Sequence, residues 1–229
     1  VSTMNPIWII FIGISLLSWI VQANLNRKFK KFSEIPVGGG MTGRDVAERM
    51  LQAHGIHDVK ITCIEGRLTD HYNPADNTVN LSREVYSSCS VAAAAVAAHE
   101  CGHAVQHATA YGPLKMRSAL VPAVSFASKW VSWVLLAGIM VVERFPGLLL
   151  FGILLFATTT LFSFITLPVE INASQRALAW LDRSGITPSY NQRDAESALR
   201  SAAYTYVVAA LSSLATLVYY VMIYLGRRD

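Results

Sequence analysis

The sequence predicts an α-rich membrane protein with a small α+β part, on the strength of three observations. Apolar residues make up 53% of the 229 residues, well above the usual share for a soluble domain. They are concentrated in four stretches, each near the ~20 residues that cross a bilayer as a helix. The polar region between the first two stretches alternates helix and strand signals.

The four predicted transmembrane helices differ in quality. The first and last are free of interruption, whereas Lys129 falls inside the second. A tilted helix accommodates that lysine if its ammonium group extends toward the membrane surface. A pair of buried helices in a soluble protein is the alternative for the middle two stretches. The four stretches are residues 6–21, 121–142, 147–167 and 204–225.

The first stretch is predicted to be a retained anchor rather than a signal peptide. No basic segment precedes it, and no small-residue cleavage site follows it. The formal net charge is +4, and much of it comes from Arg27, Lys28, Lys30 and Lys31, just after the anchor. Such a cluster marks the cytoplasmic face and attracts anionic lipid. A nucleic-acid role would need a recognition fold, and the sequence shows none.

Cysteine usage argues against two kinds of site. Cys63, Cys89 and Cys101 are odd in number and lack C-x-x-C spacing. Neither a disulfide framework nor a cysteine-based zinc site is expected from such a set.

The polar region has a helix, three strands and a second helix in its pattern. Thr42, with Asp45 three positions on, predicts a capped helix over 43–54. Alternating residues predict strands at 59–64, 68–72 and 78–81, the last two around a turn. The alanine-rich run 91–110 predicts a helix, capped by Ser82 or a serine near Ser87 and ended by Gly112 and Pro113.

A His-Glu-x-x-His motif lies inside that alanine-rich helix. His99 and His103 are four residues apart, so a helix places both imidazoles on one face, where both can reach one tetrahedral zinc ion. Glu100 stands beside that face, where its carboxylate can deprotonate the attacking water. A chance spacing on a polar helix face is the alternative. Burying two histidines and a glutamate in an apolar helix is costly unless they have a partner, which disfavours chance spacing.

A third protein ligand is expected, and Glu170 is the best candidate. Other acids follow the predicted hairpin, namely Asp182, Asp194 and Glu196, but Glu170 comes directly after a membrane stretch. Ser174 would lie one turn along, in position to support a ligand by hydrogen bonding. The hairpin has two crossings, which return Glu170 to the side of the motif. An ordinary interfacial carboxylate is the alternative for Glu170.

Further polar residues are weaker candidates. His71 could line the cleft and steady a tetrahedral intermediate, or be a surface histidine. Tyr206 and Arg200 enter the last membrane stretch and could reach an oxyanion, or serve packing alone. His107 follows the motif by one turn and is expected to be solvated, with a supporting role as the alternative. His54 and His57 are expected to be structural.

Four segments carry a family resemblance that covers nearly the whole chain. They are GRLTDHYNP at 66–74, VNLS at 79–82, VAAHECGHAVQ at 96–106 and LPVEINASQRAL at 167–178. With them the chain resembles the bacterial YugP-type neutral zinc metallopeptidases, which are related in design to the HtpX and CAAX-prenyl-protease metallopeptidases.

The resemblance implies a gluzincin-like site with zinc held by His99, His103 and Glu170, and with Glu100 catalytic. It also implies an edge hairpin beside the cleft. Where that family commonly has an aspartate, this chain has Asn172, which leaves in question any charge at that position.

The sequence therefore predicts a membrane-bound zinc-dependent endopeptidase in five regions. These are an anchor (1–23), a catalytic region (24–120), a transmembrane hairpin (121–167), the third-ligand helix and loop (168–203) and a C-terminal membrane helix (204–229). A non-proteolytic zinc-containing scaffold or adaptor and a hydrolase of lipid or other esters are the alternatives. An intact Glu100 disfavours the scaffold, and a strand edge favours peptide over lipid.

The expected location is the bacterial cell membrane, with several passes. Basic residues flanking the polar region predict a cytoplasmic active site and external termini, although Arg227 and Arg228 oppose this. The expected partners are a peptide or membrane-protein substrate and membrane lipid. A regulatory membrane partner or a second copy of the chain is compatible with this interpretation.

Overall fold

The computed structural model describes residues 6–187 and 189–226, so Arg227 and Arg228 lie outside the described residues. Seven helices and three strands follow one another along this part of the chain, with a short 3₁₀ turn at Gly38–Gly40. They are α1 (Pro6–Ser33), α2 (Gly43–Ala53), β1 (Lys60–Ile64), β2 (His71–Asn73), β3 (Thr78–Ser82), α3 (Arg83–Tyr86), α4 (Val91–Ala108), α5 (Gly112–Met140), α6 (Pro146–Ser184) and α7 (Ser189–Leu225).

The chain divides into two compact units, each made of separate parts of the sequence. The membrane unit takes the described parts of 1–20, 115–167 and 205–229, and the catalytic unit takes 21–114 and 168–204. Four helices are long and apolar enough to cross a membrane, namely Ile9–Ser33, Gly112–Met140, Pro146–Ser184 and Asn191–Leu225. The prediction of an α-rich membrane protein with four such helices is confirmed.

Within the membrane unit, α5, α6 and α7 share one apolar cluster. Gly138 of α5 lies so close to α6 that an added Cβ would stand 2.7 Å from the Cα of Leu149. Thr160 of α6 and Ser213 of α7 join their hydroxyls at 2.7 Å. Small residues and interhelical hydroxyl pairs are how helices associate where lipid is the solvent.

The α6 helix departs from the sequence-based expectation because it does not stop after the membrane stretch. A separate polar segment was expected from Glu170 onward, but the helix runs unbroken from Pro146 to Ser184 with Pro168 inside it. A proline in a helix removes one N–H and crowds the preceding turn, yet helices of membrane proteins tolerate it where neighbouring groups compensate. One continuous helix therefore carries both the apolar membrane stretch and Glu170.

Other boundaries also differ. The predicted end signal Gly112-Pro113 is the start of α5, because proline suits the first turn of a helix, where its missing N–H has no partner to lose. The loop expected over 185–193 is shorter, since α7 already begins at Ser189. The N-cap of α4 is Ser90, whose side chain accepts from the Ala93 amide.

The sheet of the catalytic unit has the order β1-β3-β2, with β1 parallel and β2 antiparallel to β3. The central β3 is buried, whereas β2 is a three-residue edge strand. Residues 68–70, expected to be strand, form a tight loop in which Leu68 has a φ of 57°. Asp70 ends this loop by accepting from the amide and hydroxyl of Ser82, and burial raises the pKa of its carboxyl group.

Helices α2 and α4 pack together in the core of the catalytic unit. The predicted cap of α2 is confirmed, because Thr42 and Asp45 form a reciprocal capping box. The alanines of α4 are almost all buried, and their small size lets neighbouring elements approach the helix on several sides. This packing holds the motif helix in a fixed orientation.

Candidate metal centre

The structure brings His99, His103 and Glu170 together. The Oε2 atom of Glu170 lies 3.2 Å from Nε2 of His99 and 3.5 Å from Nε2 of His103. The two imidazole rings, one helical turn apart, stand nearly perpendicular with their centroids 4.8 Å apart. The three candidate ligand atoms all lie within 4.8 Å of one another. Of the acids that the sequence offered, Glu170 is the one that reaches the pair.

Gly102 makes this meeting of helices feasible. A Cβ at this position would stand 2.6 Å from the backbone oxygen of Ala173 on α6. Real Cβ atoms do not approach an oxygen so closely, so only glycine permits α4 and α6 to cross at this distance. Gly102 is thus the position of the motif at which a second backbone approaches.

Both imidazoles are oriented from behind by a hydrogen bond to Nδ1. Ser174 on α6 places its Oγ 3.1 Å from Nδ1 of His99, so the serine expected to support a ligand does so at a histidine. Gln106, three residues past the motif, places Oε1 3.1 Å from Nδ1 of His103. An amide oxygen only accepts, so Nδ1 of His103 donates this bond, and Nε2 is the ring nitrogen that faces Glu170.

Gln106 is a functional residue that the sequence analysis did not identify. Its side chain is fully buried, and its amide nitrogen donates to the Val169 carbonyl oxygen at 2.7 Å and to Oδ1 of Asn172 at 3.1 Å. It thus ties the ring of His103 to the helix that carries Glu170. Its spacing of three from His103 places it on the same helix face, which is the signal that could have found it.

Asn172 is an acceptor in this network. Its Oδ1 takes hydrogen bonds from Gln106 and from Nε of Arg176, the latter at 2.8 Å. The oxygen of an aspartate could accept the same two bonds, and the half-buried asparagine does so without adding a negative charge.

The electrostatics of the site favour a cation. Burial alone would lower the pKa of His103, but the hydrogen bond with Glu170 and the charges of Glu100 and Glu170 raise it overall. The carboxylates of Glu100 and Glu170 that raise this pKa also give the site a negative potential, which attracts a metal cation.

Glu100 is buried on α4 beside the two histidines. Its Oε2 accepts a hydrogen bond of 3.0 Å from the backbone amide of Tyr72 on the edge strand β2. A carboxylate held in this way can accept a proton from a water molecule near the metal ligands.

The weaker candidate site residues belong to different elements of the fold. His71 is exposed at the start of β2, with Nδ1 2.8 Å from the Thr69 carbonyl oxygen. His107 is exposed and bonded to the hydroxyl of Tyr72 at 2.7 Å. Arg200 forms an exposed ion pair with Glu196, and Tyr206 belongs to the membrane unit. The roles of His71 and Tyr206 stay predictions.

The donor set fits zinc. Two imidazole nitrogens and one carboxylate oxygen are the protein ligands that catalytic zinc sites of the His₂Glu type use. Cys101 is not part of it, because it is buried against the Ala47 carbonyl oxygen and burial raises the pKa of its thiol.

Comparison with known proteins identifies the family. A family model described as "Putative neutral zinc metallopeptidase" matches residues 7–225. The chain belongs to this family. A relative in Bacillus subtilis (strain 168), "Putative membrane protease YugP", is 40% identical over 222 residues, which are 96% of this chain and 98% of that protein. No solved structure matches the chain.

Membership in the neutral zinc metallopeptidases makes the protein a zinc-dependent peptidase of the membrane. The predicted zinc cofactor and enzyme class are confirmed.

Proposed function

We propose that this protein is an endopeptidase in which His99, His103 and Glu170 hold zinc and Glu100 is the general base. The observation that carries the proposal is the Glu170 carboxylate, which reaches both imidazoles of the His-Glu-x-x-His motif from another helix. When bound, zinc supplies a Lewis acid that acidifies a water molecule and polarises the peptide carbonyl group.

In this mechanism Glu100 moves the proton. Its carboxylate accepts a proton from the attacking water and returns it to the nitrogen of the leaving amine. The hydrogen bond from the Tyr72 amide occupies Oε2 of Glu100 and leaves the other carboxylate oxygen for the water. Ser174 and Gln106 keep the two imidazoles oriented while the site changes charge.

The edge strand β2 supports a peptide substrate. It lies at one side of the sheet, beyond β3, so an extended chain can add to it by backbone hydrogen bonds. In an antiparallel strand the N–H and C=O of one residue point the same way. The Tyr72 carbonyl therefore faces the side of Glu100 and is the acceptor that a substrate amide would meet. His71, exposed on the same strand, would contact the substrate.

We further propose that the site faces the cytoplasm and acts on membrane proteins or chains near the membrane. The basic cluster Arg27, Lys28, Lys30 and Lys31 in the second half of α1 favours that side. Tyr206 on α7 keeps its proposed role of stabilising an oxyanion, which Tyr206→Phe would test.

The test is Glu100→Gln in the full-length protein, purified in detergent with casein as the probe. We expect zinc per molecule to stay unchanged while casein cleavage falls below detection, because the amide cannot accept the proton. Glu48→Gln, an exposed carboxylate of α2, is the matched control and should keep full activity. Persistent cleavage by Glu100→Gln would remove Glu100 as the base.

A further inference from the structure

Tyr72 contacts the motif helix at two separate points. Its backbone amide donates to Oε2 of Glu100 at 3.0 Å. Its side-chain hydroxyl is bonded to Nδ1 of His107 at 2.7 Å and to Oδ1 of Asn77 at 3.2 Å. One residue of the edge strand therefore holds α4 both at the proposed base and further along the helix.

The register of the sheet explains why this amide is available. In an antiparallel pair, successive residues direct their backbone groups alternately toward the partner strand and away from it. Tyr72 lies opposite Val79 of β3, and its amide points away from that strand, toward Glu100. An outward amide on an edge strand ordinarily bonds water or another chain, and here it bonds a buried carboxylate.

The two contact points lie on one face of α4. Glu100 and His107 are seven residues apart, which is about two helical turns. The ring of Tyr72 packs against the core of the catalytic unit, so the residue is held at its ring and at its hydroxyl. A backbone so fixed holds its amide, and hence the carboxylate of Glu100, in one place.

We propose that Tyr72 is a positioning residue that fixes the orientation of the general base through its backbone amide, with His107 holding its side chain. The proposal rests on the proposed role of Glu100. A hydrogen bond to an ionised carboxylate is stronger than one between neutral groups, so it selects one carboxylate orientation. The neighbouring ligands His99 and His103 do not depend on this contact.

The sharpest test removes the amide hydrogen alone. Replacing Tyr72 with its α-hydroxy acid, by suppression of a stop codon, converts the amide to an ester and keeps the side chain. Loss of a hydrogen bond to a charged group predicts a fall in kcat on casein of about tenfold. We expect KM to change by less than about twofold and zinc per molecule to stay constant, since Tyr72 holds the base and not the metal.

The control is tyrosine itself inserted at position 72 by the same suppression. An unchanged kcat in the ester variant would overturn the proposal. A loss of zinc or of the folded state in that variant would also overturn it, because the contact would then be structural.

The hydrogen bond between the Tyr72 hydroxyl and His107 is tested by substitution. Tyr72→Phe and His107→Ala should each lower kcat about threefold, as the loss of an exposed neutral hydrogen bond predicts. The double variant should be no worse than Tyr72→Phe, because that substitution already removes the bond to His107 together with the one to Asn77. His107→Gln should restore kcat, and Tyr86→Phe, another half-buried tyrosine of this unit, should leave it unchanged. Additive losses would overturn the role of His107.

Glu100→Gln, assayed in parallel, separates the two ideas. If Glu100→Gln is inactive and the ester variant has full kcat, the proposed function stands and the positioning role falls. If Glu100→Gln cleaves casein, the base assignment falls, and the positioning role falls with it.

Discussion

The membrane unit and the catalytic unit bury their side chains in opposite ways. Nearly all of the strongly exposed large apolar side chains in the described residues belong to the membrane unit, and the exceptions are Leu68, Ile171 and Tyr204. The catalytic unit instead encloses a large apolar cluster and a smaller one that includes Phe32. The difference indicates that the membrane unit exposes its apolar side chains to lipid, whereas the catalytic unit encloses them away from water.

The two units also use polar groups differently. In the membrane unit, hydroxyls such as those of Thr158 and Ser163 bond to carbonyls of their own helix. In the catalytic unit, the buried Gln106 and Glu170 bond across elements. No buried side-chain nitrogen or oxygen in the described part of the chain lacks a partner. Most hydroxyls of the membrane helices therefore bond within their own helix, with the Thr160–Ser213 pair as an exception, whereas the candidate metal centre is assembled by bonds between distant residues.

The largest effect should come from removing the carboxylate of Glu170, which reaches the two motif histidines from another helix. Glu170→Ala deletes a proposed ligand, and we expect zinc affinity to fall by about a hundredfold or more, above the loss that supporting residues cause. Competition with a chelator of known affinity measures it. Asp182→Ala, an exposed acid of the same helix, should bind zinc normally. Unchanged affinity in Glu170→Ala would eliminate it as a ligand.

The next largest effects should come from two glycines at which helices cross, one in each unit. Gly102→Ala would force a Cβ against the Ala173 oxygen and Gly138→Ala against Leu149, so each should destabilise its unit by about 2 kcal/mol. Thermal unfolding in detergent measures the loss of stability in each variant, and zinc titration measures the effect on the candidate metal site. We expect Gly102→Ala alone to weaken zinc binding.

The controls are glycines with open space around them, Gly112→Ala in the catalytic unit and Gly147→Ala in the membrane unit. Equal loss of zinc from Gly102→Ala and Gly138→Ala would show that the two units are not energetically separable.

Gln106→Met should have a smaller effect. The thioether keeps the volume of the side chain but loses the bonds to His103, Val169 and Asn172, and we expect zinc affinity to fall about tenfold. Isothermal titration with zinc measures this change. Gln52→Met, an exposed glutamine of α2, is the control. Full zinc affinity in Gln106→Met would mean that the ring of His103 is held by the helix alone.

The smallest effect should come from the membrane unit. Thr160→Val removes the hydroxyl pair with Ser213, and interhelical bonds of this kind contribute about 0.6 kcal/mol. We expect a slight fall in the unfolding temperature, with zinc binding and casein cleavage unchanged. A loss of several kcal/mol would indicate that polar contacts dominate this unit after all.

Local patterns allowed much of this architecture to be predicted. The apolar stretches, the Thr42 cap and the motif spacing each depend on residues within one or two helical turns. Gly102 could be interpreted from its place in the motif. Glu170 was found because topology returned it to the correct side of the membrane.

The remaining features depend on distant contacts, which no local pattern encodes. The continuation of α6 through Pro168 requires neighbours that compensate for the proline. The amide of Tyr72 reaches Glu100 from 28 positions away, and backbone groups leave no trace in side-chain identity. The loop at Leu68 adopts a φ that its residue type does not favour.

The order of synthesis gives the separation of His99 and Glu170 a further meaning. They stand 71 positions apart in the chain, with a membrane hairpin made between them. A ribosome-bound chain that has released only the motif helix offers two imidazoles and no closing carboxylate. On the ligand set proposed above, the nascent protein therefore gains a complete metal site only when its third membrane helix has been made.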